Sequence, residues 1–147
     1  MKQYDLNNIS NFLRKIRINK IKNKETKIEL INIHMALYKK VLDWKKDLEE
    51  LQKKFFEGKE AELDLYNKQV LEIQNAAPEK QAELEATLDP EMKTLVTEFN
   101  ELVNQMLEKD VAVKLTKIDK DRFIEALIDL DIDFTCDDLI ILKDLYK

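Results

Sequence analysis

"IELINIHMALYKKVLDWKKDLEELQKKFF", residues 28–56, decides how this chain folds. Leu30, His34, Leu37, Val41, Trp44, Leu48, Leu51 and Phe55 follow one another at intervals of 4, 3, 4, 3, 4, 3 and 4. That alternation is a heptad seam, the mark of a helix laying one narrow apolar stripe against a partner. The seam spans about 26 residues, or about 39 Å at about 1.5 Å per residue. A second stripe, Ile28, Ile31, Met35, Tyr38 and Leu42, runs beside its first half. The first half is therefore expected to be buried from two sides, with a short preceding helix as the extra cover.

Working outward, the seam stops at the only glycine, Gly58. Leu63, Tyr66, Val70, Ile73 and Ala77 then resume helical spacing one position out of phase, so the helix breaks or skips a residue at "FFEGKE", residues 55–60. Pro78 ends that stretch, and "PEKQAELEATL" reads as one more short helix. Asp89 followed by Pro90 is a helix start, an N-cap before a proline at the first helical position. Met92, Leu95, Phe99, Leu102 and Met106 continue at 3, 4, 3 and 4, widened by Val96 and Val103. This helix is the expected antiparallel partner of residues 25–56.

The ends read differently. "KQYDL", residues 2–6, alternates, and so do Val111, Val113 and Leu115 within "DVAVKLTKID". Period-two alternation predicts strands, so these two segments are expected to pair. Ile9, Phe12, Leu13 and Ile16 form one helical stripe between the first strand and a basic connector, "RINKIKNKE". Asp119 caps a helix carrying Phe123, Ile124, Leu127 and Ile128. The expected fold is mainly all-α: a long antiparallel helical hairpin, coiled-coil-like, with short C-terminal helices and a minor two-stranded β element. It forms one domain, residues 1–147. Residues 1–24 make a strand plus a short basic helix and connector, and 25–77 a long or broken helix. Residues 78–109 make a second helical arm, and 110–147 a strand plus two short helices.

Composition narrows the chemistry. One Gly and two Pro exclude a turn-rich fold and a Gly-rich phosphate loop. A charged fraction of 37% beside 44% hydrophobic residues suits long helices with a large surface. The net charge of -5 is uneven: residues 1–27 carry eight Lys or Arg against two acids, and the other 120 residues sum to -11. A single cysteine allows no intrachain disulfide and no cysteine zinc site, which points to an intracellular, cytoplasmic protein. No apolar run approaches the ~20 residues of a membrane span, and "MKQYDLNNIS" lacks the apolar core of a secretion signal.

The stretch "IDLDIDFTCDDLI", residues 128–140, holds five aspartates. Read as a calcium loop, Asp129, Asp131 and Asp133 would take its first three ligand positions. Phe134 would then stand where the loop needs glycine, and Ile140 where it needs a bidentate glutamate. No metal is expected. Thr135 as N-cap with Asp138 three residues on is a better reading, close to a capping box. His34, the only histidine, sits on the heptad seam, where a polar residue serves register. It leaves no second histidine for a metal site and no base beyond a remote pairing with Cys136. No catalytic residue, cofactor or small-molecule substrate is inferred, and an enzyme is not expected.

Two contact surfaces are candidates. Arg14, Lys15, Arg17, Lys20, Lys22 and Lys24 form a basic patch able to meet phosphates or an acidic protein surface, including the chain's own. Nucleic acid is the less expected partner because the acidic remainder opposes a polyanion. Trp44, Leu48, Leu51 and Phe55 form a seam whose intrachain lid is incomplete, so a protein partner or homo-oligomer is expected there.

The order of parts resembles an uncharacterised group of short helical proteins encoded by tailed bacteriophages. The resemblance lies in "NKIKNKETKIELINIHMALYKKVLDWKKDLEELQKKFF", in "FNELVNQMLEKDVAVKLTKID" and in the closing "DFTCDDLIILKDLYK". Residues 59–88 depart from it, being longer and more helical. The resemblance implies a viral origin and a small accessory or structural role in the virion or host cytoplasm. The expected function is a non-enzymatic interaction or structural module. The alternatives are an inhibitor or sequestering protein acting on a host factor, and a nucleic-acid accessory protein.

Overall fold

The computed structural model describes all 147 residues. Seven α-helices and two short 3-10 turns make up 73% of the chain, and no sheet forms. In chain order the helices are α1 (Gln3–Leu13), α2 (Lys24–Phe55), α3 (Glu60–Asn75), α4 (Pro78–Glu85), α5 (Pro90–Leu107), α6 (Lys120–Asp129) and α7 (Cys136–Ile141). The chain divides into two compact units, Met1–Lys45 with Leu107–Lys147, and Lys46–Met106.

In the first unit α1 buries Leu6, Ile9, Phe12 and Leu13 at helical spacing, and packs against α7. α2 starts at Asn23, whose Oδ1 accepts the Thr26 N–H at 3.0 Å. That bond satisfies one of the amides a helix start leaves free. The helix buries Leu30, Ile33, Leu37 and Val41 along one face. α6 supplies Phe123, Ala126 and Leu127, and the turn after α7 supplies Leu142 and Leu145. With Ile16, Ile21 and Ile118 these residues form one continuous core. Each fully buried aliphatic or aromatic side chain there contributes about 1.5–3 kcal/mol of transfer free energy.

The two-stranded element expected from the alternation does not form. Gln3 already opens α1, and residues 111–117 are extended without a ladder. Two isolated bridges remain, Lys2 with Asp110 antiparallel and Ile118 with Tyr146 parallel. The main-chain bonds around the first are Gln3 N–H to Lys109 O at 2.9 Å and Val111 N–H to Met1 O at 2.8 Å. The physical reason is that period two reports one-sided burial of extended chain, whether or not a neighbour pairs with it. Val111, Val113 and Leu115 are half-buried against the core, while Ala112, Lys114 and Thr116 are exposed. At the other end, the stripe Gln3, Leu6, Ile9, Leu13 outweighs the brief alternation of Tyr4 and Leu6, and Tyr4 is exposed.

In the second unit α2 ends at Phe55 and the chain turns through Gly58 at φ 75. This left-handed conformation is where glycine is favoured. A Cβ there would meet nothing within 4 Å, so the requirement is for backbone freedom, not space. The break at Gly58 is therefore a true helix end. Phe56, Tyr66, Ile73, Leu88 and Met92 form a second core, with Phe55, Leu63, Val70, Leu95, Val96 and Phe99 packed on it. Phe55, Phe56 and Phe99 meet with ring centroids 5.1 to 5.7 Å apart. α5 starts as the Asp89–Pro90 pair predicts, with Asp89 Oδ1 accepting the Glu91 N–H at 3.0 Å. An exposed ion pair, Lys59–Glu91 at 2.8 Å, joins the turn to α5.

Candidate interaction surface

The two apolar stripes of α2 have opposite fates. Leu30, Leu37 and Val41 are buried, and His34, Trp44, Leu48, Leu51 and Phe55 are half-buried. The second stripe lies open to solvent: Ile28 is 48% exposed, Ile31 40%, Met35 67%, Tyr38 46% and Leu42 45%. The expectation that the short first helix covers this stripe is corrected. α1 spends its apolar face on the core shared with α2, α6 and α7, and has no second face to offer. Five large apolar side chains in register over four turns make a continuous exposed ridge, which soluble surfaces rarely carry without use. The other exposed apolar residues do not line up this way; Leu65 and Leu71 on α3, for instance, are six positions apart and face different sides.

Charge divides α2 lengthwise. Lys24, Lys27, Lys39 and Lys45 border the open stripe; Glu29 is buried on the other side, and Glu25, which also flanks the stripe, is tied with it into an ion network. Arg122 on α6 bonds Glu25, and its second nitrogen lies 3.9 Å from Glu29 Oε1. Lys147 Nζ donates to the same Glu29 oxygen at 2.7 Å. The side-chain bond from Arg122 holds the Glu25 carboxyl below its ordinary range, with the nearby guanidinium charge adding to the effect. Glu29 Oε2 and Thr26 Oγ1 are buried without a partner. Two carboxylates facing two cations make a clamp that holds the start of α2 to α6 and to Lys147.

The aspartates resolve into two helix caps. Asp131, at φ 52, is the left-handed residue after α6. Asp131 N–H donates to Ile128 O and Ile132 N–H to Leu127 O, both at 3.0 Å. That pair of bonds is a Schellman motif with aspartate where glycine usually stands. Thr135 and Asp138 close the capping box that starts α7: Thr135 N–H donates to Asp138 Oδ2 at 2.8 Å, and Asp138 N–H donates to Thr135 Oγ1 at 3.2 Å. No group of three or more His, Cys, Asp or Glu side chains is arranged to hold a metal.

The basic patch is exposed throughout at Arg14, Lys15, Arg17, Lys20, Lys22 and Lys24. Three of the six share a groove with the chain's own acids. Lys15, Arg17 and Lys20 line one side of an open groove of about 750 Å³, and Asp129, Asp131 and Asp133 line the other. Lys15 also lies 5.3 Å from the Phe12 ring centroid.

His34 stacks on Tyr38 with centroids 6.2 Å apart, at the border between the buried and open faces of α2. Cys136 opens α7 and is exposed, and no hydrogen bond links it to His34. Sequence reasoning missed the openness of the Ile28–Leu42 stripe. The available signal was the lysines at 24, 27, 39 and 45, which border that stripe. No helix is long and apolar enough to cross a membrane. Comparison with known protein families, with curated proteins and with solved structures finds no match for this chain.

Proposed function

We propose that the protein is a non-enzymatic protein-binding module that presents the Ile28–Leu42 face of α2. One observation carries this: five large apolar side chains in heptad register stand in solvent on a helix whose opposite face is fully used by the core. Water-exposed apolar area of this kind is relieved by association, and Met35 and Tyr38 at its centre are residue types suited to anchoring a contact. The Trp44–Phe55 seam is a weaker candidate, because its members are half-buried and Phe55 is engaged with Phe56 and Phe99. The resemblance to short tailed-phage proteins would give such a module an accessory role in a particle or against a host factor; that setting rests on the resemblance alone.

The test is site-specific photocrosslinking in cells that make the protein. A photoreactive residue at position 35 should crosslink to another polypeptide, whereas one at Leu71, equally open but isolated, should not. Equal capture from both positions, or none from position 35, removes the reading.

A further inference from the structure

The open stripe also specifies what fits it. Ile28, Ile31, Met35, Tyr38 and Leu42 are spaced 3, 4, 3 and 4, the a and d positions of two heptads. An a/d-only stripe is narrower than the face a helix lays on a bilayer, and has the width that one partner helix fills by knobs-into-holes packing. In a coiled coil the flanking e and g positions choose the partner by charge. With Ile28 at a, the flanks from 27 to 41 are Lys27, Asn32, His34, Lys39 and Val41. The next d positions outward, Lys24 and Lys45, are also basic. Every ionised flank between 27 and 41 is therefore a cation. The acids nearby are spoken for or turned away: Glu25 is bonded to Arg122, Glu29 is held by Lys147, and Asp43 falls at b.

We propose that this face docks an amphipathic helix of a partner protein that carries carboxylates along both edges of its apolar stripe. The proposal rests on the reading of α2 as a protein-binding surface and adds the chemistry of the partner. A second copy meeting the same face antiparallel would set Lys27 opposite Val41 and Lys39 opposite Asn32, so neither lysine would meet a carboxylate. An anionic bilayer would attract these lysines too, but it would have to accept a chain of net charge -5. An acidic helix satisfies the apolar spacing and the flanking charge together.

The experiment uses the full chain and two labelled synthetic helices of three heptads. Both have Ile at a and Leu at d; one has Glu at every e and g position and the other Lys. Binding is followed by fluorescence anisotropy. The Glu peptide should bind at least tenfold more tightly than the Lys peptide, and added salt should weaken it several-fold. Met35→Glu should reduce that affinity more than tenfold with the circular dichroism spectrum unchanged. Lys27→Glu with Lys39→Glu should reverse the preference toward the Lys peptide. Equal binding of both peptides leaves a protein-binding face but overturns the acidic partner. If neither peptide binds, the proposal is also overturned. Sedimentation of the chain with phosphatidylserine vesicles would then make α2 a membrane face and remove the protein-binding reading as well. Met35-dependent dimerisation of the chain alone would instead make a second copy the occupant.

Discussion

Lys147 Nζ lies 2.7 Å from Glu29 Oε1, and that carboxylate is the one charged group the fold buries. The Glu29 side chain is 10% exposed while Lys147 is half in water, so the pair protects the buried partner more than it adds attraction of its own. Lys147→Met should therefore cost about 1 kcal/mol, because Glu29 is left with only the distant Arg122 nitrogen. Adding Glu29→Leu should recover most of that loss by removing the stranded charge. Urea denaturation followed by circular dichroism reads both. A double variant as unstable as the single one would show that Glu29 is not the source of the cost.

The two aspartate caps give opposite expectations. Asp131 sits in the left-handed region, where an L-residue pays about 1 kcal/mol or more relative to glycine. Asp131→Gly should raise stability by up to about 1 kcal/mol. Thr135→Ala opens the capping box and should lower it by about 1 kcal/mol. A calcium titration of either variant and of the wild type should produce no shift in the denaturation midpoint. A calcium-dependent rise lost on Asp131→Gly would mean that the turn is a cation loop after all.

Acid should loosen the contact of α2 with α6. The Glu25 carboxyl is lowered from its ordinary 4.5 by the Arg122 side chain. Asp119 is lowered from 3.8, chiefly by the Arg122 backbone N–H it accepts. Depressed carboxyls stabilise the fold above their unfolded values, and that contribution is withdrawn as pH falls through the folded ones. The contribution is thus complete above about pH 5 and fades below pH 4. Asp119→Asn keeps a capping oxygen but does not titrate. Its melting temperature should fall less steeply than the wild type's between pH 4 and pH 2.5. Parallel slopes would exclude Asp119 as a contributor.

How far the sequence reached is visible on α2 itself. Residue spacing located the helix and Leu30, Leu37 and Val41 of its buried face, and marked Gly58 as a break or a skip without deciding between them, because periodicity is set by local geometry that every residue repeats. Asp89, Asp119 and the Thr135–Asp138 pair were legible for the same reason: a cap acts within one turn. The failures were tertiary. Nothing in the alternation of Val111, Val113 and Leu115 states whether a second extended chain lies alongside. Nothing in the spacing of Ile28 to Leu42 states whether α1 has a face left for them. The open stripe was marked only by its neighbours, since lysines bordering an apolar row on both sides are expensive beneath a cover and cost nothing in water.

Met35 and Leu37, two residues apart on α2, separate surface from core most directly. Leu37 is 1% exposed among Leu30, Ile33 and Val41, so Leu37→Ala should cost about 2–5 kcal/mol through lost transfer energy and the cavity left behind. Met35 is 67% exposed and belongs to neither core. Met35→Ala should change stability by less than about 0.5 kcal/mol, as surface substitutions do, while weakening any contact made by the open face. Urea denaturation of the two variants checks the first half of this contrast, and crosslinking or peptide binding checks the second. If Met35→Ala destabilised the isolated chain as much as Leu37→Ala, the stripe would be core in solution, covered by the chain or by a second copy. The binding face would then have to be sought elsewhere on the molecule.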